Sequence, residues 1–287
     1  MAIFAIGDIH GCFDELEQLL KVIDFTRGRD RLWFVGDLLS RGPKSMEVLN
    51  RVRGLGEDAV CVLGNHDLRA ISVLAGVHPG GGGAWFEWLQ NAPDRQELLQ
   101  WLSGLPFMHR DDALGWSMVH AGIAPGWSLD EAMARSRAAS AVLGNPEHTA
   151  SVFDGQWGHL PVKEPPPSEA RMRLWYDITV FTRIRVCAAD GSMVWPGMLR
   201  KSGLAHPFML PPPESPVQPW HSYRHWSPEE KMVFGHWAGA GVQLSQHAVG
   251  LDGACVYGRR LVAMRLDAPG NPLYHVPCPC YSKPEES

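Results

Sequence analysis

Three short polar motifs in the first seventy residues carry side chains suited to metal and phosphate chemistry. They read Gly-Asp-Ile-His-Gly at residues 7–11, Gly-Asp-Leu-Leu-Ser-Arg-Gly at 36–42 and Gly-Asn-His-Asp at 64–67. Carboxylate, carboxamide and imidazole ligands without thiolate favour manganese, iron, cobalt, nickel or zinc over calcium. Paired ions of this kind polarise phosphoryl oxygens and activate water. The motifs therefore predict a two-metal site that acts on a phosphate group.

The elements that must position these motifs alternate between strand and helix signals. An apolar, β-rich run precedes each motif, at residues 2–6, 32–35 and 59–63. Helical spacing of apolar residues follows each motif, over 13–23, 43–52 and 68–74. This repetition predicts an α/β protein with a largely parallel sheet. Ligands of such sheets bind beyond the carboxyl ends of the strands, where all three motifs fall.

The rest of the chain predicts one large domain over residues 1–267. The sequence indicates helices over 85–105 and 129–143 and strands at 116–119, 232–234, 243–249, 254–257 and 260–265. Residues 155–230 are rich in tryptophan and proline, and we interpret them as an insertion or cap over the site. We expect residues 268–287 to form a poorly ordered tail.

The composition argues against a membrane protein and against a general DNA-binding protein. The 287 residues are 45% hydrophobic and 20% charged, as in an ordinary globular protein. No apolar run approaches the roughly 18 residues of a membrane span, and no signal peptide is evident, so we expect a cytoplasmic protein without a membrane partner. The formal net charge of −5 argues against general DNA binding. The six cysteines are scattered, and we interpret them as free thiols of a reducing compartment.

A negative chain can still hold a positive site. Two divalent ions carry more charge than Asp8, Asp37 and a bound hydroxide cancel, which leaves about one positive charge before any arginine is counted. Asp8 and His10 are two residues apart, so both side chains leave the same side of an extended segment. Asp37 has two oxygens with which to bridge two ions. Asp67 we interpret as the cap of the following helix.

Three more side chains offer ligands to the second ion. Asn65 supplies a neutral carbonyl oxygen from the third motif. His120 and His236 each follow a predicted strand, in His-Ala-Gly and Gly-His-Trp contexts that repeat the geometry of the first motifs. Their neutral imidazoles complete the predicted ligand set.

The ordered motifs resemble those of metallophosphoesterases of the phosphoprotein-phosphatase type. More narrowly, the chain is similar to the bacterial family that hydrolyses dinucleoside tetraphosphates symmetrically. The narrower resemblance rests on residues 40–43, 119–123, 181–185, 234–238 and 251–266 and extends over residues 2–267. It implies a calcineurin-like β-sandwich flanked by helices, a site at the carboxyl ends of strands, and manganese or cobalt as the metal.

The resemblance also implies a role for each candidate residue. The first ion would bind Asp8, His10 and Asp37, and the second would bind Asp37, Asn65, His120 and His236. Arg41 and one of Arg183 and Arg185 would contact phosphate oxygens through the guanidinium fork. We place Arg183 and Arg185 on one side of a strand, for which an exposed strand face is the alternative interpretation. His66 would protonate the leaving group.

Ser40 departs from the pattern of the wider family. Protein phosphatases of this type have an aspartate immediately before the motif arginine, and that carboxylate orients the catalytic histidine. Its loss favours a leaving group that needs little protonation, such as a nucleoside diphosphate whose second pKa is roughly 6. A phosphoanhydride is therefore preferred to a phosphoester.

Alternative functions remain within and outside this chemistry. A serine/threonine protein phosphatase would use the same scaffold, and removal of nucleoside-polyphosphate caps from RNA 5′ ends would break the same bond. A non-catalytic binding scaffold is disfavoured because the full ligand set is present. Trp157, Trp175 and Trp220 are candidates to stack on adenine, with core packing as the alternative.

Overall fold

The computed structural model describes residues 1–78, 84–154, 159–203, 206 and 208–283. The strands in chain order are β1 (Ile3–Ile6), β2 (Arg31–Phe34), β3 (Ala59–Cys61), β4 (Met108–Asp111), β5 (Trp116–Val119), β6 (Val186–Ala188), β7 (Met193–Val194), β8 (Val217–Pro219), β9 (Lys231–Phe234), β10 (Gln243–Leu244), β11 (Ala248–Gly250), β12 (Arg260–Arg265) and β13 (Leu273–Pro277). The helices are α1 (Phe13–Val22), α2 (Ser45–Leu55), α3 (Asn65–Leu74), α4 (Ala84–Gln90), α5 (Arg95–Ser103), α6 (Leu129–Leu143), α7 (Thr149–Phe153), α8 (Ala170–Arg183) and α9 (Pro196–Ser202).

Two five-stranded sheets form the centre of the fold. Their strand orders are β13-β12-β1-β2-β3 and β10-β11-β9-β5-β4. Strands β1, β2 and β3 pair in parallel, as do β5, β9 and β11, whereas β12 and β13 in the first sheet and β4 and β10 in the second pair antiparallel. The predicted α/β fold with a β-sandwich core is confirmed, and the parallel part of each sheet is confined to three strands.

Side-chain alternation along β1 shows how the sandwich is buried. Ile3 and Ala5 belong to a cluster that includes buried side chains of the second sheet, such as Met118 and Val233. Phe4 and Ile6 point the other way and pack with the apolar face of α1, for example Leu16. Successive strand residues face opposite sides, so one strand contributes to two cores. Both faces of this sheet are therefore covered.

The strand ends place the polar motifs together. β1, β2 and β3 run in the same direction, so the loops after them leave from one edge of the sheet. β5 and β9 are also parallel to each other, and His120 and His236 follow their ends. Helix α3 begins at Asn65, three residues earlier than predicted, so Asn65 and His66 lie in its first turn.

The described part of the region from 155 to 230 packs on the helical layer and forms an ion pair with it. Helix α8 packs against α6, and Arg135 on α6 contacts Asp177 on α8 at 2.8 Å. A small sheet of order β7-β6-β8 follows. Trp175 and Trp220 are buried, and Trp175 donates from Nε1 to the carbonyl of His159. They pack in the core and offer no open stacking face, while Trp157 lies outside the described residues.

Four expectations for the C-terminal part of the chain are wrong. Residues beyond 267 are ordered in part, because β13 pairs along its length with β12. The predicted strand over 254–257 is a turn segment, and 243–249 forms the β10–β11 hairpin in place of one strand. Cys255 and Cys278 are joined by a disulfide, so these two are not free thiols.

Among the helices that the structure describes, none combines the length and the apolar character needed to cross a bilayer.

Candidate metal centre and phosphate site

The loop after β1 carries Asp8 and His10. The Nδ1–H of His10 donates to the carbonyl of Leu39 at 3.3 Å, which leaves Nε2 as the free lone pair. That Nε2 lies 3.5 Å from Oδ2 of Asp37. Asp8 accepts through both carboxylate oxygens from the backbone N–H of His236, at 3.2 and 3.0 Å. The first motif is therefore held against the second and against the loop after β9.

Asp37 occupies the middle of the site. Its Oδ2 lies 3.5 Å from Nε2 of His10 and 3.5 Å from Nε2 of His120. Its Oδ1 accepts from the backbone N–H of His66 at 2.8 Å. One carboxylate oxygen between two imidazole lone pairs is the arrangement expected of a ligand shared by two cations.

Asn65, His120 and His236 bring three acceptor atoms together. Nδ1–H of His120 donates to the carbonyl of Val35 at 2.9 Å, and Nε2–H of His236 donates to that of Arg183 at 3.2 Å. The remaining lone pairs, on Nε2 of His120 and Nδ1 of His236, are 3.2 Å apart. Oδ1 of Asn65 is 3.1 Å from the same Nε2. These atoms face one another without a hydrogen to share, which favours a cation between them.

The pKa shifts of the buried carboxylates and imidazoles also indicate that the site is suited to cations. Burial raises the pKa of Asp8 well above its usual range, and Asp252 and Asp37 raise it further. Burial likewise raises the pKa of Asp37. Burial lowers the pKa of His120 to about 3, so that its imidazole is neutral and ready to coordinate. Repelling carboxylates beside neutral imidazoles fit divalent cations well.

Left-handed backbone conformations concentrate at these residues. His10, Asp37, Arg41 and His236 have φ of 49°, 51°, 64° and 69°. Such values are unusual for residues with a side chain and persist where the surrounding structure enforces them. Two neighbouring glycines leave the space that the carboxylates occupy: a Cβ on Gly64 would overlap Oδ1 of Asp37. A Cβ on Gly235 would overlap Oδ1 of Asp8.

The three predicted arginines lie beside the centre, although two are not where the sequence placed them. Arg183 is the last residue of α8 and Arg185 precedes β6, so the strand prediction for this pair is wrong. Nη2 of Arg185 donates to the carbonyl of His236 at 2.7 Å, and burial lowers the pKa of Arg185 to about 10. Arg183 is half-buried; desolvation lowers its pKa, and the nearby Asp37 acts in the opposite direction.

Arg41 approaches the centre from the second motif. Its guanidinium carbon lies 5.6 Å from the ring centroid of Tyr257, and its charge lowers the pKa of both His10 and His66. Guanidinium groups on two sides of a carboxylate cluster suit a substrate with several phosphates.

Two buried aspartates support the centre. Asp67, predicted as a helix cap, accepts from the backbone N–H of Gly64 at 2.9 Å and confirms that role. It also accepts from the N–H groups of Asp37 and Leu38, at 2.8 and 3.1 Å, and so fixes the second motif. Asp252, which sequence reasoning missed, lies near Asp8, and burial raises its pKa to about 7. Its only sequence signal was its place in the segment 251–266.

The side chains that could hold cations form two overlapping groups. One contains His10, Asp37 and His66, and the other contains Asp8, Asp37 and His120. Asp37 belongs to both. The structure therefore brings every predicted ligand and all three arginines to one site, and the donor set fits a pair of divalent ions.

Comparisons with known proteins agree with this geometry. Residues 1–184 match the family model described as calcineurin-like phosphoesterase. The symmetrical bis(5′-nucleosyl)-tetraphosphatase of Nitrosococcus oceani is 40% identical over 289 residues, covering 99% of this chain and 99% of that protein. A relative of the same name from Thioalkalivibrio sulfidiphilus is 36% identical over 97% of this chain and 100% of its own.

Solved structures show the same fold. A crystal structure assigned as a diadenosine tetraphosphatase superposes with a TM-score of 0.60 at 27% identity, covering 96% of this chain and 93% of that one. A protein serine/threonine phosphatase from Saccharomyces cerevisiae gives a TM-score of 0.53 at 15% identity, covering 99% of this chain and 82% of its own. The second likeness concerns the fold alone. The chain belongs to the symmetrical bis(5′-nucleosyl)-tetraphosphatase family of the calcineurin-like phosphoesterases.

Proposed function

We propose that this protein hydrolyses dinucleoside tetraphosphates symmetrically, so that diadenosine tetraphosphate and water give two ADP. The observation that carries the proposal is Oδ2 of Asp37, which lies 3.5 Å from Nε2 of both His10 and His120 beside half-buried arginines. The full-length relatives carry the name of this activity. A centre with bridged ligands and guanidinium groups suits a polyphosphate chain.

The ligands divide between two ions. Asp8, His10 and Asp37 would hold the first, and Asn65, His120 and His236 would hold the second together with Asp37. Bound divalent ions supply an activated water and neutralise phosphoryl oxygens. Family membership implies a divalent metal, and we propose manganese or cobalt, with iron, nickel and zinc as alternatives for this donor set.

The residues of the chain itself orient the substrate. Arg41 and at least one of Arg183 and Arg185 bind phosphate oxygens and hold the tetraphosphate so that water attacks an inner phosphorus in line. The new bond joins the water oxygen to that phosphorus, and its bond to the central bridging oxygen of the tetraphosphate breaks. Each product then carries two phosphates, because the broken bond lies in the middle of the chain of four phosphates.

His66 is suited to a leaving group that is already stable as an anion. Its Nδ1 is buried and has no hydrogen-bond partner among the described residues, so no carboxylate there fixes its tautomer. Burial lowers the pKa of His66 well below its usual value, and the guanidinium charges of Arg41 and Arg183 add to this. A neutral imidazole can assist departure of a diphosphate by hydrogen bonding alone, whereas an alkoxide leaving group needs the proton itself.

Product analysis tests the proposal directly. The metal-loaded protein is incubated separately with diadenosine tetraphosphate, a phosphopeptide and an RNA bearing a nucleoside-tetraphosphate cap, and the products are separated. We expect ADP as the only product from diadenosine tetraphosphate. In Asp37→Asn, we expect the rate of this hydrolysis to fall by more than about 100-fold. AMP with ATP would contradict symmetric attack. Faster phosphopeptide hydrolysis would favour a protein phosphatase, and faster cap removal an RNA substrate.

Cytoplasmic residence belongs to the same proposal, since a nucleotide hydrolase of this kind acts on a soluble metabolite. Fractionation of the source cell tests it: we expect the protein with the cytoplasmic markers, and recovery with the envelope would contradict it.

A further inference from the structure

A second cluster of possible metal ligands lies apart from the candidate metal centre. Sγ of Cys12, a carboxylate oxygen of Glu15 and Sγ of Cys255 are all within 4.8 Å of one another. Cys12 precedes α1, Glu15 lies in its first turn, and Cys255 lies in the loop between β11 and β12. Cys278, which follows β13, is bonded to Cys255 and so adds a third sulfur at the same place.

Glu15 is the observation that points to a ligand. Its side chain is buried, with the whole residue only 3% exposed. Oε1 accepts a hydrogen bond from the hydroxyl of Tyr281 at 2.9 Å. Oε2 is buried with no hydrogen-bond partner among the described residues. A buried carboxylate oxygen without a partner is costly, and a cation bound beside it removes that cost.

We propose that, in the reduced protein, Cys12, Glu15, Cys255 and Cys278 form a tetrahedral site for a thiophilic divalent cation of the zinc class. Reduction requires a thiol or phosphine reductant, which takes up the oxidising equivalents as Cys255 and Cys278 each gain a hydrogen. Binding of the cation then forms three metal–sulfur bonds and one metal–oxygen bond. The protons of the three thiols go to solvent.

The geometry is compatible with that coordination. Zinc–sulfur bonds of about 2.3 Å and zinc–oxygen bonds of about 2.0–2.2 Å place tetrahedral ligands roughly 3.5–3.8 Å apart. The ligand atoms of Cys12, Glu15 and Cys255 lie within 4.8 Å of one another and need to approach by at most about 1 Å. The sulfurs of Cys255 and Cys278, bonded in the disulfide, must move apart once they are reduced. Tyr281 would orient the carboxylate from outside the ligand set, as hydrogen-bond partners of metal ligands commonly do.

The chemistry of this site differs from that of the candidate metal centre. Thiolates select soft ions, whereas the centre around Asp37 offers oxygen and nitrogen atoms. The new site also joins parts of the chain that the disulfide leaves apart. The disulfide links Cys255 to Cys278, while the metal would add Cys12, which precedes α1 and is two residues from His10.

Cobalt(II) binding tests the proposal without an activity measurement. The full chain is stripped of metal, kept reduced with a phosphine, and titrated with Co²⁺ while its absorption spectrum is recorded. A sulfur-to-cobalt charge-transfer band reports this site alone, because the predicted ligands around Asp37 include no sulfur. We expect the band in the reduced wild type and its absence after oxidation to the disulfide.

Variants identify the ligands. Cys12→Ser and Cys255→Ser should each lose the band, and Tyr281→Phe should weaken cobalt affinity by about 10-fold. Cys61→Ser, which removes a buried thiol on β3, is the matched control and should keep it. Circular dichroism confirms that each variant is folded, and Tyr281→Phe tests the site without removing a ligand. Absence of the band in the reduced wild type, or a band unchanged in Cys12→Ser, would overturn the proposal.

Discussion

We propose that Ser40 and His66 determine how readily the site protonates its leaving group. Ser40 is buried with a φ of 89°, and its backbone N–H donates to Oγ of Ser45 at 3.0 Å. The position that holds a carboxylate in related protein phosphatases is therefore filled by a hydroxyl side chain on a constrained turn. Nδ1 of His66 remains without a hydrogen-bond partner among the described residues. Two residues thus distinguish this site from one built for phosphoesters.

His66→Asn will slow phosphoester hydrolysis far more than anhydride hydrolysis. General acid catalysis contributes about 10²–10⁴-fold where the leaving group is a poor one. An alkyl phosphomonoester needs that help, because its leaving group is an alkoxide. A departing nucleoside diphosphate needs little protonation, because the second pKa of its terminal phosphate is about 6. We expect kcat on the phosphomonoester to fall by roughly 100-fold or more and kcat on diadenosine tetraphosphate by less than about 10-fold. Equal losses on both substrates would contradict this account.

Ser40→Asp will shift the preference toward phosphoesters. A carboxylate beside His66 raises the pKa of the imidazole and fixes its tautomer, which makes it a better acid. We expect the ratio of kcat/KM for the phosphomonoester to that for diadenosine tetraphosphate to rise by about 10-fold. Ser40→Asn is the matched control, since aspartate and asparagine both tolerate a positive φ but only aspartate carries charge. A ratio that is the same in both variants would remove Ser40 as a determinant of specificity.

The elements around the site differ in how far the sequence predicted them. Strands β1, β2 and β5 and helices α1 and α6 follow local apolar patterns, and so their motifs were located correctly. The spacing of two residues between Arg183 and Arg185 predicts one side of a strand for the pair. Packing of α8 against α6 overrides that local preference and carries the helix as far as Arg183.

Two glycines in the site loops leave the space that the carboxylates of Asp37 and Asp8 occupy, and substituting alanine for each tests this. Gly64→Ala and Gly235→Ala would each drive a Cβ into a carboxylate oxygen, of Asp37 and Asp8 respectively. We expect manganese affinity to fall by about 10–100-fold in both, measured by isothermal titration calorimetry. Gly54→Ala in α2 is the control, because no atom lies within 4 Å of its added Cβ. It should keep metal affinity and gain about 0.5–1 kcal/mol in unfolding free energy.

Asp67 connects the first turn of α3 to the loop after β2. Its carboxylate accepts from three backbone N–H groups, and burial raises its pKa to about 7. The sequence predicted that Asp67 caps α3, because this contact joins Gly64 and Asp67, which are only three positions apart. The contacts with Asp37 and Leu38 span about thirty residues of chain, so only the folded structure reveals them.

At the scale of the whole molecule, the chain is negative while its site gathers arginines and, on our proposal, divalent ions. The sequence predicted this contrast between chain and site because each motif is a short local segment that can be recognised without knowing its neighbours in space. Connections across the chain were less accessible. The pairing of β13 with β12 and the disulfide between Cys255 and Cys278 depend on partners that local patterns do not specify. Asp252 was missed for the same reason, since a single aspartate in a turn belongs to no periodic sequence pattern that would indicate its role.

The C-terminal strand stabilises the fold, and truncation measures by how much. β13 pairs with β12 from Leu273 to Pro277, buries Val276 and places Tyr274 edge-on to Phe4, with ring centroids 5.9 Å apart. Ending the chain after Asp267 exposes the edge of β12 and this apolar surface. Burial of one aliphatic side chain contributes about 1.5–3 kcal/mol, so we expect a loss of roughly 3–5 kcal/mol in unfolding free energy from urea titrations.

Two controls separate the strand from its covalent link. Cys278→Ser in the full chain removes the disulfide but keeps β13, and all titrations are run with reductant so that the disulfide contributes nothing. Truncation after Lys283 keeps the strand, Cys278 and Tyr281 and should leave the urea midpoint unchanged. A chain ending at Asp267 with the midpoint of the full protein would show that β13 adds no stability. The predicted disordered tail would then be the better description of the segment.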